Sequence, residues 1–204
     1  MTPWEMLEEF DKQLFLFIHS KMTDPSLDGV MLLLRNAITW IPLYLFMLYW
    51  IIRFGKKHAW QFILFTVIVF AITDYVSASL LKPLIGRLRP CWNPDLQPYL
   101  RNIVGCGGQY GMPSSHAANH FGIAAFWFWS IRLIKGQKWY WLWAWAIAIC
   151  YAQVYVGKHY PFDILVGALL GYTTGTLFAR IFEIWQFAPK TPRPGITKQL
   201  PHMQ

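Results

Sequence analysis

Residues 59–90 read AWQFILFTVIVFAITDYVSASLLKPLIGRLRP. Within 59–81 the single charge is Asp74, and Lys82, Arg87 and Arg89 then follow in quick succession. A helix that crosses a bilayer needs about 20 mostly apolar residues, and this run supplies them. A soluble helix keeps one polar face; this one keeps none. The stretch reads as a membrane helix that ends in a cluster of cations at the interface.

The same test picks out further spans on either side. They run over 37–52 (extendable back toward Val30), 115–131, 139–156 and 162–179, the last continuing to 187. The whole chain of 204 residues agrees: 55% hydrophobic, 18% aromatic and only 14% charged, against about 25% charged in soluble domains. Such a chain is not disordered, because disordered chains are poor in aromatics and rich in charge. Nucleic acid is not an expected partner either. The net charge of +8 is dispersed between apolar runs and forms no dense stripe.

The N-terminus differs. Residues 1–20 set Glu5, Glu8, Glu9, Asp11 and Lys12 among Trp4, Leu7, Phe10, Leu14, Phe15 and Phe17. That spacing predicts an amphipathic helix lying in the interface. It lacks the basic start and small-residue cleavage site of a signal peptide. The expected fold is all-α: a polytopic membrane helical bundle of about five transmembrane helices plus an N-terminal interfacial amphipathic helix. Its regions are an interfacial segment at 1–36, a transmembrane core at 37–187, and a flexible, basic, proline-rich tail at 188–204.

Lys and Arg in short loops set orientation. Arg53, Lys56 and Lys57 follow the first span; Arg132, Lys135 and Lys138 follow the third; Lys190, Arg193 and Lys198 lie in the tail. These regions share a side, which is cytoplasmic by this rule. The N-terminal segment, the 82–114 loop and the 157–161 turn fall on the opposite side. Cys91 and Cys106 both lie in that outer loop, where a disulfide is permitted; two free thiols are the alternative. Cys150 is inside the fourth span.

Chemistry-bearing residues gather in the outer loops. Lys82, Arg87 and Arg89 read either as interfacial cations or as phosphate ligands: a point charge and planar forks matched to phosphate oxygens. Pro113, Ser114 and Ser115 open the third span, so Ser114 and Ser115 read as helix caps or as donors at an anion-binding helix start. His116 follows at once, with Asn119 and His120 one turn deeper as packing residues or as supports for the groups that meet the anion. His159 and Asp163 are four apart across Pro161, which suits the start of a helix. A carboxylate there can fix an imidazole's tautomer and raise its basicity. All three clusters fall on one membrane side, at ends of helices that can meet around one anion. Asp74 reads as an intramembrane carboxylate facing protein or water. Gly167, Gly171 and Gly175 favour close helix packing, and Trp139, Trp141, Trp143 and Trp145 an aromatic belt.

These residues resemble the type 2 phosphatidic acid phosphatase superfamily, which also holds glucose-6-phosphatase and vanadium-dependent haloperoxidases. Its motifs are K-x6-R-P, P-S-G-H and S-R-x5-H-x3-D. The first matches from Lys82 to Arg89-Pro90, and the second reads Pro113-Ser114-Ser115-His116. The third matches at His159 and Asp163, with Ala152-Gln153 where Ser-Arg is expected. The resemblance spans about residues 60–175.

The resemblance implies a metal-independent phosphatase with no cofactor. His159 would be the nucleophile, forming a phosphohistidine, Asp163 its orienting partner and His116 the general acid. Lys82, Arg89, Ser114, Ser115 and Gln153 would line the phosphate cradle. Gln153 brings no charge where the family has a cation. Three consequences stand open: an active but less cationic site aided by Arg87 or Lys158, an unusual substrate, or a weakened enzyme.

The expected substrate is a lipid phosphate or pyrophosphate taken from the bilayer, with undecaprenyl pyrophosphate preferred because the site faces outward. Phosphatidate, phosphatidylglycerol phosphate and lipid A phosphates are alternatives. Phosphotransfer to another lipid and a non-catalytic lipid-phosphate binder are rival activities. The expected location is a bacterial inner membrane, with the site on the extracytoplasmic side.

Overall fold

The computed structural model describes residues 2–101 and 103–187. The proposed tail at 188–204 lies outside them. The elements are α1 (Pro3–Leu16), α2 (Pro25–Arg35), α3 (Ile41–Gly55), α4 (Ala59–Tyr75), the short α5 (Lys82–Ile85), α6 (Ser115–Lys135), α7 (Trp141–Tyr155) and α8 (Pro161–Phe187). Among the described residues no strand forms; an isolated bridge pairs Leu88 with Tyr110. Two helical stretches, Ala37–Ile85 and Pro161–Phe187, are long and apolar enough to cross a membrane. The first is folded back on itself at Lys56, whose φ is 52°, so that α3 packs along α4.

Local chemistry sets the helix ends. Thr2 and Glu5 form a reciprocal capping box ahead of Pro3. Asn36 leaves the helical conformation at the end of α2, and its side chain caps the next turn by accepting from Ile38 N at 3.1 Å. The first span therefore does not run back to Val30: α2 is a separate helix, divided from α3 by this cap. α4 runs on through a π-helical turn, Val76–Leu81, into α5. α5 closes at Gly86, whose φ of 65° suits a residue without a side chain.

The centre of the bundle is α6 laid against α8. A Cβ added to Gly167, Gly171 or Gly175 would lie 2.4, 2.2 and 2.2 Å from the carbonyl oxygens of Ser114, Ala118 and Gly122. The glycine stripe thus brings the two backbones into contact. α4 closes over this pair, with Phe62, Phe65, Phe126 and Phe182 interlocking at the buried core. Outward-facing Leu45, Tyr49, Leu169 and Leu177 are exposed, as helices facing acyl chains require. α1 has two unlike faces. Trp4, Leu7 and Phe10 are exposed, but Asp11 and Phe15 are fully buried against the bundle.

Candidate active site

One end of the bundle collects the ends of α4, α6, α7 and α8. Pairing of Arg89 N with Gln109 O (3.0 Å) and of Gly111 N with Arg87 O (2.8 Å) draws the Lys82–Arg89 segment beside the start of α6. Lys82 Nζ then donates to Pro113 O and to Ser115 Oγ, both at 2.8 Å. Ser77, on the π turn before Lys82, donates to the same Ser115 Oγ at 2.9 Å. Ser114 is fully buried, and its hydroxyl accepts from Ala117 N at 3.4 Å as the α6 cap. Of the two serines it is Ser115 that reaches the cavity wall. Arg89 donates from Nε to Tyr110 O at 3.1 Å.

His159 and Asp163 meet across the start of α8. His159 Nδ1 lies 3.3 Å from Asp163 Oδ2, which also accepts from Tyr160 N at 3.1 Å. Asp163 Oδ1 accepts from Arg87 at 2.9 Å. Burial pulls the His159 pKa below the ordinary histidine range, against the opposing pull of Asp163. The ring is therefore neutral at physiological pH, with Nδ1–H directed at the carboxylate and Nε2 left as the nucleophilic atom. Gly111 makes the close approach possible: a Cβ there would stand 2.7 Å from Asp163 Oδ2.

Arg87 does not extend the phosphate site. Its guanidinium bridges two buried carboxylates, Asp163 and Asp11, the latter at 2.7 Å, and lies 4.2 Å from the centre of the Tyr160 ring. Asp11 also accepts from Phe162 N at 3.0 Å. Burial raises the Asp11 pKa, and Arg87 opposes that rise. Asp11 carries no local sequence signal, because its partners are 76 and 151 residues away. Lys158 is also committed. It donates to the carbonyls of Gly105 and Cys106, the latter at 2.8 Å, and burial brings its pKa down to about 8. Cys106 is bonded to Cys91 with Cα atoms 5.7 Å apart, so Lys158 ties a cross-linked loop to the end of α7. Gln153 is buried, and its Nε2 has no partner among the described residues.

His116 and Ser115 open onto a cavity of about 580 Å³. Trp40, Met47, Ile63, Phe70 and Trp127 supply apolar walls. Asp74 lies at its edge, accepting from Asn119 Nδ2 at 2.9 Å, while Asn119 Oδ1 accepts from Thr73 at 2.8 Å. That network ties α4 to α6 and does not reach His159. His120 Nδ1 bonds His116 O at 2.7 Å, and its ring packs on Trp145.

A profile of the PAP2 superfamily matches residues 59–186. The chain belongs to the PAP2 superfamily. A lipid A 4'-phosphatase of Bacteroides thetaiotaomicron is 35% identical over 202 residues, covering 94% of this chain and 86% of the relative. A lipid A 4'-phosphatase of Porphyromonas gingivalis is 29% identical, covering 87% and 75%. The PAP2-type phosphatidylglycerolphosphate phosphatase of Bacillus subtilis shares the fold at a TM-score of 0.68 and 17% identity, covering 90% of this chain and 89% of that one. Aquifex aeolicus LpxE does so at 0.58 and 24%, covering 82% and 93%. This PAP2 chain is a membrane lipid phosphatase. The matched region includes every motif residue above and excludes α1 and α2, which carry Asp11 and Arg35.

Proposed function

We propose that this enzyme hydrolyses a lipid phosphate monoester through a phosphohistidine, with the 4'-phosphate of lipid A as its first substrate. The observation that carries the reading is that Ser115 and His116 line an apolar cavity, that Lys82 donates to the same Ser115, and that His159 is paired with Asp163. A phosphate can sit among the cations while its lipid moiety lies in the cavity. The lipid A 4'-phosphatase relatives, similar over nearly the whole chain, move the preference from undecaprenyl pyrophosphate to lipid A.

In this reading His159 Nε2 attacks phosphorus, and the bond from phosphorus to the leaving oxygen breaks. His116 gives that oxygen its proton. Asp163 holds the imidazole and stabilises the positive charge that develops on it. Lys82, Arg89, Ser115 and Gln153 hold the phosphoryl oxygens, and charge stabilisation of this kind supplies most of phosphoryl-transfer catalysis. Ser114 contributes by capping α6 so that its free amides face the anion. Water, deprotonated by His116, then attacks the phosphohistidine and releases phosphate. The site faces the extracytoplasmic side of a bacterial inner membrane, by the Lys and Arg distribution.

The test is phosphate release by detergent-purified protein in the presence of chelator. The panel is lipid A, undecaprenyl pyrophosphate, phosphatidate and phosphatidylglycerol phosphate, with His159→Ala alongside. Release that is fastest from lipid A, survives chelator and vanishes in the variant supports the reading. Faster turnover of undecaprenyl pyrophosphate overturns the substrate assignment, and phosphate release by His159→Ala overturns the mechanism.

A further inference from the structure

The site's cations divide by whether another group already holds them. Arg87 is neutralised by Asp11 and Asp163, Arg101 pairs with Asp28, and Lys158 is spent on loop carbonyls. Lys82 and Arg89 bond only to neutral oxygens among the described residues. One more cation belongs with these two. Arg35, the last residue of α2, lines the cavity together with Ser115 and His116. Its Nε is buried with no hydrogen-bond partner among the described residues, and it takes part in none of the ion pairs found there.

A half-buried guanidinium whose Nε is shut from water with no partner among the described residues loses part of its hydration, so an anion is the natural complement for it. Arg35 shares the cavity lining with Ser115, whose hydroxyl accepts from Lys82, and with His116. It therefore stands at the junction of the cation cluster and the cavity, beside the residue assigned to protonate the leaving oxygen. α2 packs along α7, the helix that carries Gln153. A neutral residue holds that α7 position, and the neighbouring helix supplies a guanidinium. A planar fork suits phosphate oxygens better than a point charge.

We propose that Arg35 is the third substrate-binding cation of the phosphate site, supplying from α2 the charge that the Gln153 position lacks. This rests on the phosphatase reading above. The chain completes its anion site with a segment that lies outside the matched region.

Orthovanadate, a phosphoryl-transfer analogue without a lipid tail, is the probe. Its affinity is measured by calorimetry on the full chain in detergent, and its inhibition of phosphate release is measured in parallel. Arg35→Gln is expected to weaken vanadate binding by about 10- to 100-fold and to lower kcat/KM by a similar factor. Arg35→Lys, which keeps the charge and loses the fork, is expected to weaken it by only about 10-fold or less. Gln153→Arg placed in the Arg35→Gln background is expected to recover at least about 10-fold of the lost affinity. Thermal melting identifies which variants are folded.

Wild-type vanadate affinity in a folded Arg35→Gln protein overturns the proposal, whatever happens to lipid turnover. That result would leave Arg35 to a lipid headgroup. Failure of the phosphatase reading shows separately, as no phosphate release from any lipid of the panel by the wild-type protein. Calorimetry still tests Arg35 in that event, because it needs no turnover.

Discussion

Both ends of this bundle are basic, yet they are built in opposite ways. At one end Arg53, Lys56, Lys57, Arg132, Lys135 and Lys138 all stand exposed, with no carboxylate partner among the described residues. At the other, Lys82, Arg87, Arg89 and Lys158 are wholly or partly buried, and each is held by a defined oxygen. A solvated cation beside a membrane is cheap and positions the chain relative to the bilayer. A cation drawn into protein loses its hydration and needs a partner. The same residue types therefore report topology at one end and chemistry at the other, and burial tells them apart.

The contrast can be tested by substitution. The largest effect is expected at Asp163. Asp163→Asn removes the charge that orients His159 and stabilises its cationic form, and with it one of the two carboxylates holding Arg87. It should lower kcat by about 10³-fold or more, read as phosphate release per mole of folded enzyme. A fall of under about 10-fold would mean that the buried end owes its chemistry to something other than this pair.

Asp11→Asn comes next. It leaves Arg87 with Asp163 alone and weakens the tie between α1 and α8. Removing one partner from a buried ion pair costs about 3–5 kcal/mol, so the melting temperature should drop clearly and kcat should fall by a smaller factor than in Asp163→Asn. Unchanged melting would show α1 to be a passenger.

The pH profile is a subtler probe. The nucleophile must be neutral, and burial lowers the His159 pKa. Activity should therefore persist below pH about 6.5, where an ordinary histidine is half protonated, and then fall about tenfold per unit once the depressed pKa is passed. An acid limb centred above about 6.5 would contradict a buried, desolvated His159. The smallest effect is expected at the other end. Lys57→Ala should leave kcat unchanged and stability within about 0.5 kcal/mol, and a marked loss of activity there would erase the distinction between the two ends.

Much of the site was readable because its causes are local. His159 and Asp163 are one turn apart across a helix-starting proline, and a four-residue spacing of glycines marks a helix face wherever it occurs. Lys82 and Arg89 stood out as cations closing an apolar run. The break at Asn36 was hidden, since the apolar pattern of α2 continues into α3 and only the cap at Asn36 divides them. Asp11 and Arg35 were hidden for a different reason. Asp11 sits among other acidic residues of an amphipathic helix, and Arg35 is a lone arginine after a leucine run.

The sequence by itself determined the helices, their apolar faces, the basic pattern of the loops and the three motifs. Each of these is a matter of residue type at short spacing, and short spacing is all that a helix needs. The tertiary structure alone decided which carboxylates hold Arg87, that Lys158 spends its charge on a loop, and that Arg35 reaches the cavity with no ion-pair partner among the described residues. Those outcomes depend on distances between segments up to 151 residues apart. Such distances arise only when α6 and α8 close on their glycines and carry the helix ends together.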